Sequence, residues 1–308
     1  MTPPPGATRG YLSVASAAAL WATWPFVLRL ATRFGPMPAP LQAAIAMGVL
    51  GLCAAPGAFV ARRRRGPGGA PLPVTTIVAF GLAGGGNIAL FFAAYAHTRV
   101  AVAVAAPLFG EPTSRRSRGA AALSVLGLAL LLAPWEADQG PVLLGAALGT
   151  GSAVLYAAAV LLQKRLAGRY GESELLAYHA AVAFPLLLAC VPLDAMNRTS
   201  AASVAVVALG GVGPGFFAGG LFLYGLRSIP SSHASILTLL EPFLATTAAA
   251  FVYGERLGPT AVVGAAAILL GAALVIRESA PPAGAGPPLG QRTARDPSAP
   301  GGPAPPPP

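Results

Sequence analysis

Glu241 is the residue in this sequence best placed to do chemistry. It stands near the middle of the apolar run Ser232–Tyr253 and is followed at once by Pro242. An ionisable group at that depth is costly to leave charged and unpaired, so it reads as functional by default. A carboxyl there suits binding and releasing a proton; the plainer role is to hydrogen-bond backbone freed by Pro242. Other polar and aromatic side chains recur on the apolar runs: Trp21, Trp24, Gln42, Asn87, Tyr95, Tyr156, Gln163, His179 and Tyr224. In lipid such groups should turn inward, although Trp24 and Tyr95 also suit interface anchors. The expected solute and proton pathway is Glu241, Trp21, Asn87, Tyr95, Tyr156, Gln163, His179 and Tyr224. His233, near a helix start, reads as a water-facing cap.

Other motifs point to packing. Gly211, Gly215 and Gly219 are spaced four apart and suit close helix contact. Gly84-Gly85-Gly86 lies inside an apolar run with no Lys-Ser/Thr after it, so it is not a phosphate loop. Gly110-Glu111 and Gly254-Glu255 suit helix ends with a glycine cap. Cys53 and Cys190 both sit in apolar runs and imply neither a disulfide nor a metal site. The three His are scattered, and no nucleophile elbow or metal-spaced cluster occurs. The reading is therefore not an enzyme, with no cofactor and no metal.

Positioning such residues requires membrane helices. The chain has 308 residues, 55% hydrophobic and only 10% charged, against roughly 25% charged in soluble domains. Nine runs are long enough to cross a bilayer: Tyr11–Leu30, Ala39–Ala61, Val74–Ala96, Gly119–Trp135, Pro141–Leu162, Leu175–Pro192, Ala201–Leu226, Ser232–Tyr253 and Gly258–Ile276. The run Val100–Phe109 is apolar but spans only about 15 Å as a helix. Residues 1–10 and the Pro/Gly-rich tail 279–308 read as disordered.

Similar segments recur. Leu30-Ala31-Thr32-Arg33-Phe34-Gly35 matches Leu166-Ala167-Gly168-Arg169-Tyr170-Gly171, and Gly110-Glu111 matches Gly254-Glu255. The chain therefore divides into two five-helix repeats, 11–135 and 141–276, with the fourth helix about 14 residues short. With ten crossings the N-terminal side collects fifteen Lys and Arg and the other side five; with nine crossings the split is seven against thirteen. The positive-inside rule thus selects ten crossings with both ends cytoplasmic. The net charge of +10 is distributed between apolar runs rather than along one face, which argues against nucleic acid as a partner.

The stretch Ser232-His233-Ala234-Ser235-Ile236-Leu237-Thr238-Leu239-Leu240-Glu241-Pro242, followed by Gly254-Glu255-Arg256-Leu257, resembles the ninth helix and following loop of the EamA-type drug/metabolite transporter family. Phe92-Ala93-Ala94-Tyr95-Ala96 and Gly110-Glu111-Pro112 resemble the ends of its third and fourth helices. The resemblance covers about Tyr11–Ile276. It implies an all-α polytopic bundle of two inverted repeats, nine full spans plus one short helix, with a central cavity. It also implies secondary transport of a small metabolite or drug across a bacterial inner or plasma membrane. The fourth helix departs from the family pattern, so a non-transporting deletion variant is the alternative. The implied partners are a small solute and the lipid bilayer, and a homodimer is left open.

Overall fold

The computed structural model describes residues 7–65, 72–97, 114–132, 139–254 and 257–278. Among them the regular structure is entirely helical. The elements are α1 (Ala7–Trp21), α2 (Trp24–Thr32), α3 (Ala39–Arg65), α4 (Val74–His97), α5 (Arg115–Leu132), α6 (Gln139–Ala167), α7 (Glu172–Ala189) and the short α8 (Ala195–Arg198). Then come α9 (Ala201–Gly210), a π-helical segment Gly211–Phe217, α10 (Ala218–Leu226), α11 (Ser231–Thr238), α12 (Leu240–Tyr253) and α13 (Pro259–Glu278). Among the described residues seven segments are long and apolar enough to cross a membrane, which makes this a multi-pass membrane protein. The first is Ala7–Thr32, so helix begins within the stretch expected to be unstructured. The runs at α5 and α7 are helical, each of 18 residues. The apolar stretch 100–109 and the tail after Glu278 lie outside the described residues.

Three spans are interrupted, and proline explains each. Pro25 occupies the first turn of α2, where its missing N–H is tolerated, and Thr23 Oγ1 donates to Leu20 O at 2.7 Å across the break. Pro242 cannot donate to the carbonyl four residues back, which is that of Thr238, and α11 ends there. Pro214 sits inside the π-helical segment, the kind of bulge that often marks functional sites.

The dominant packing joins early elements to late ones: α1 with α10, α3 with α7, α4 with α6, and α5 with α13. Glycines line these seams. A Cβ on Gly225 would come within 2.6 Å of Gly10 O, one on Gly51 within 2.8 Å of Ala180 Cβ, and one on Gly127 within 2.7 Å of Gly264 O. The glycine-rich composition thus has a packing role, since small residues let helices approach closely in lipid. Gly84-Gly85-Gly86 belongs to the same class. Its three positions face His179, Ala183 and Leu155.

Charge separates to the two ends of the bundle. Arg9, Arg62 to Arg65, Arg115, Arg116, Arg118, Lys164, Arg165, Arg169, Arg227 and Arg277 lie at one end, while Arg29, Arg33 and Arg198 lie at the other. Buried Glu174 at the first end pairs with Arg65 and accepts from Gly171 N at 3.1 Å. Arg227 pairs with Glu172 at 2.7 Å and donates to Tyr170 O at 2.6 Å. Lys164 donates to Leu226 O and, at 2.7 Å, to Ile229 O, satisfying carbonyls that the end of α10 leaves over. The antiparallel pairing of α4 on α6 and of α5 on α13 puts the end of α4 opposite the start of α5.

Gly254 caps α12 in the left-handed conformation, with φ 68°. A Cβ is disfavoured there. Gly254→Val should lower stability by about 1 kcal/mol or more, read as an earlier thermal transition of the purified protein, whereas Gly254→Asn should be nearly neutral.

Candidate functional site

All three interruptions border one cavity of about 450 Å³. Its wall carries Trp21 and Trp24 from either side of the α1–α2 break. Pro214 and Gly215 come from the π-helical segment, and Thr238, Leu239, Glu241 and Pro242 from the α11–α12 break. Interrupted helices at mid-membrane are how many transporters build a solute site, because unpaired backbone there is tolerated only against protein or a water-filled space.

Six of the eight pathway residues expected from sequence line this cavity: Glu241, Trp21, Asn87, Tyr156, Gln163 and His179. Tyr156 lies beside Thr238 and within electrostatic reach of Glu241. Its ring leans on Phe222 with centroids 6.4 Å apart, and Trp21 meets the same Phe222 at 5.3 Å. Asn87 Oδ1 accepts from Ser152 Oγ at 2.8 Å, which pins α4 to α6 and leaves the amide NH2 as the group Asn87 can offer to a solute. Gln163 Oε1 is buried without a hydrogen-bond partner. His179 stacks on Phe80 with centroids 4.9 Å apart and stands over Gly84, where a Cβ would overlap Nε2.

Tyr224 departs from its expected place. Tyr224 is 45% exposed and does not line the cavity; α10 turns it outward because Phe222, Leu223 and Leu226 take the buried face. The side chain of Tyr95 lies outside the described residues. Gly211 and Gly219 pack on Val49 and Leu176, and Gly215 and Gly219 both border the cavity. Gln42 is buried but caps its own helix start by donating to Met37 O at 2.9 Å. Trp24 is buried edge-on against Phe92 at 5.7 Å rather than at an interface. His233 is not water-facing. It is 7% exposed and bonded on both ring nitrogens.

Sequence reasoning did not single out Ser152, Phe222, Arg29 or Tyr253. Arg29 stands near a span end in the sequence, and its guanidinium lies over the Tyr253 ring at 3.6 Å from the centroid, with Phe26 stacked on the same ring at 5.8 Å. These three residues border the cavity at the end away from the basic cluster. Among the described residues no His, Cys, Asp or Glu group could hold a metal ion.

The fold and the cavity define a multi-pass helical membrane protein with an internal solute-sized chamber. Residues 143–277 match the EamA-like transporter family. It is 28% identical over 204 residues to an uncharacterized transporter of Archaeoglobus fulgidus, covering 62% of this chain and 73% of that protein. A solved crystal structure superposes with a TM-score of 0.68 at 20% identity, covering 88% of this chain and 98% of the other. That likeness shows the fold alone.

Proposed function

We propose that the protein is a secondary carrier for a small organic solute, proton-linked through Glu241, in a bacterial inner or plasma membrane. The observation that carries this reading is the convergence of three interrupted spans, and six separate polar or aromatic side chains, on one cavity. The cavity has the size of ordinary small-molecule sites, which run from about 300 to 1,000 Å³. Its wall offers aromatic faces from Trp21, Tyr156 and Phe222, hydrogen-bonding groups from Asn87 and Gln163, and one carboxyl from Glu241. A solute with an apolar body and one or two polar groups matches that wall.

The seams support two inverted five-helix repeats. A two-fold operation exchanging the halves relates α1–α2 to α6, α3 to α7, and α4 to the span Ala201–Leu226. It turns the α1–α10 seam into the α6–α4 seam, and it maps the α3–α7 and α5–α13 seams onto themselves. An odd number of helices per repeat inverts the second copy, the arrangement that suits alternating access around a central site. The end rich in Lys and Arg then faces the cytoplasm, with both termini. A cysteine in place of Arg64 should react with an impermeant maleimide only in inside-out vesicles; reaction from outside intact cells would refute this orientation. The alternative of a chain that inserts without transporting turns on residues 98–113, which lie outside the described residues. The assembled cavity favours the carrier.

The test is flux. Protein reconstituted in liposomes with a trapped pH dye is challenged with a panel of small aromatic and aliphatic amines, acids and neutral metabolites. At least one solute should move protons at a rate that protein-free liposomes lack. Silence across the panel under gradients of either sign would overturn the proposal.

A further inference from the structure

The basic end of the bundle holds a second polar assembly, none of whose members lines the cavity. Tyr11 of α1, His233 of α11, Ser117 of α5 and Glu278 of α13 form one hydrogen-bonded chain. Tyr11 OH lies 2.6 Å from His233 Nδ1, Ser117 Oγ lies 3.1 Å from His233 Nε2, and Ser117 Oγ donates to Glu278 Oε2 at 2.8 Å. Tyr11, Ser117 and His233 are all buried.

The bonds have one consistent direction when His233 is neutral. The Glu278 carboxylate, with Arg116 within electrostatic reach, can only accept. Ser117 therefore spends its hydrogen on Glu278 and must accept from His233 Nε2–H. His233 Nδ1 is then the acceptor for the Tyr11 hydroxyl. Within these three bonds each donor then meets an acceptor, with the His233 proton on Nε2.

The assembly joins the two halves of the molecule. Tyr11 and Ser117 belong to the first half, His233 and Glu278 to the second. His233 is bonded to both α1 and α5. Seen from the cavity, this end is also where Lys164 and Arg227 tie α6, α7 and α10 together. The cavity instead extends toward Arg29 and Tyr253 at the opposite end.

We propose that the Tyr11–His233–Ser117–Glu278 chain is the latch that holds the carrier closed at its basic end. It rests on the carrier reading above. Opening the bundle at that end moves α11 away from α1 and α5, which breaks the bonds at His233. Both ring nitrogens then need water, or the end stays shut. The latch sets how often the closed arrangement gives way without touching the solute.

The experiment reads the closure itself. Both cysteines are removed (Cys53→Ala, Cys190→Ala), and Ala159 on the cavity wall becomes the single cysteine. Its reaction with an impermeant maleimide is followed from the basic face and from the opposite face. Tyr11→Phe keeps the ring and removes one bond; Ser117→Ala removes the bridge between His233 and Glu278. Each should raise labelling from the basic face by about tenfold, the share of one buried hydrogen bond, and lower it from the opposite face. Ser117→Thr, which keeps the hydroxyl, should restore the parent pattern. Labelling equal to the parent in both variants overturns the latch, whatever the flux. A rise at both faces also overturns it, because that is general loosening. Absent flux with a one-sided shift leaves the latch standing and removes only the carrier reading.

Discussion

Glu241→Gln should eliminate proton-driven uptake while leaving expression and the purified species unchanged. Gln has nearly the shape of Glu and keeps the hydrogen-bonding capacity that a structural role at the α11–α12 break would need, but it cannot ionise. Glu241 is the single carboxyl on the cavity wall among the described residues, so no neighbour there inherits the role. Solute-driven proton movement should fall to the protein-free baseline, and solute exchange across the membrane should persist without dependence on pH. Retained exchange is the informative half of the result, because it separates a coupling role from loss of the site. If Glu241→Gln keeps pH-dependent uptake, the carboxyl serves the backbone near Pro242 instead.

Gly264→Val should be the most damaging single substitution in the helix seams. A Cβ at Gly264 would overlap Leu131 N and Gly127 O, and Leu130 C would lie 2.9 Å away. These obstacles are backbone, so no rotamer change relieves them; α13 would have to move off α5. Overpacking of a tight core costs about 1–3 kcal/mol, occasionally more, and a backbone clash belongs at the upper end. Folded yield after detergent extraction should drop sharply, with early aggregation on gel filtration. Gly258→Ala is the control, since the nearest atom to a Cβ there is Thr260 Oγ1 at 3.8 Å. Normal yield of Gly264→Val would mean that the α5–α13 seam is looser than described.

Much of the fold was legible because a bilayer forces long apolar runs, and lone polar residues within them stand out. Glu241, Asn87, Tyr156 and Gln163 could be picked out by type and depth, and all four reach the cavity. Tyr224 satisfied the same criterion and points outward, since a run that is apolar all round gives no sign of its rotation. Arg29 was hidden for the opposite reason: near a span end it reads as a topogenic charge, and only the fold brings it over Tyr253. His233 looked like a cap because α11 begins nearby at Ser231. Its partners Tyr11 and Ser117 are 222 and 116 positions away, a distance no local pattern can bridge. The breaks at Pro25, Pro214 and Pro242 were present in the sequence, but their meeting around one chamber follows only from the packing of early helices on late ones.

If this chamber is the solute path, a cysteine on its wall is open to water and is shielded by the solute. Ala245 lies on the chamber wall, whereas Leu209 is 71% exposed on the flank of its span. In the cysteine-free background, Ala245→Cys and Leu209→Cys are each treated with an impermeant maleimide from outside intact cells, with and without a solute that passes the flux assay. Ala245→Cys should label, and the solute should slow it in proportion to its occupancy. Leu209→Cys, facing lipid, should label slowly and ignore the solute. If Ala245→Cys stays unlabelled, or labels at the same rate with saturating solute, the chamber between the interrupted helices is not the path.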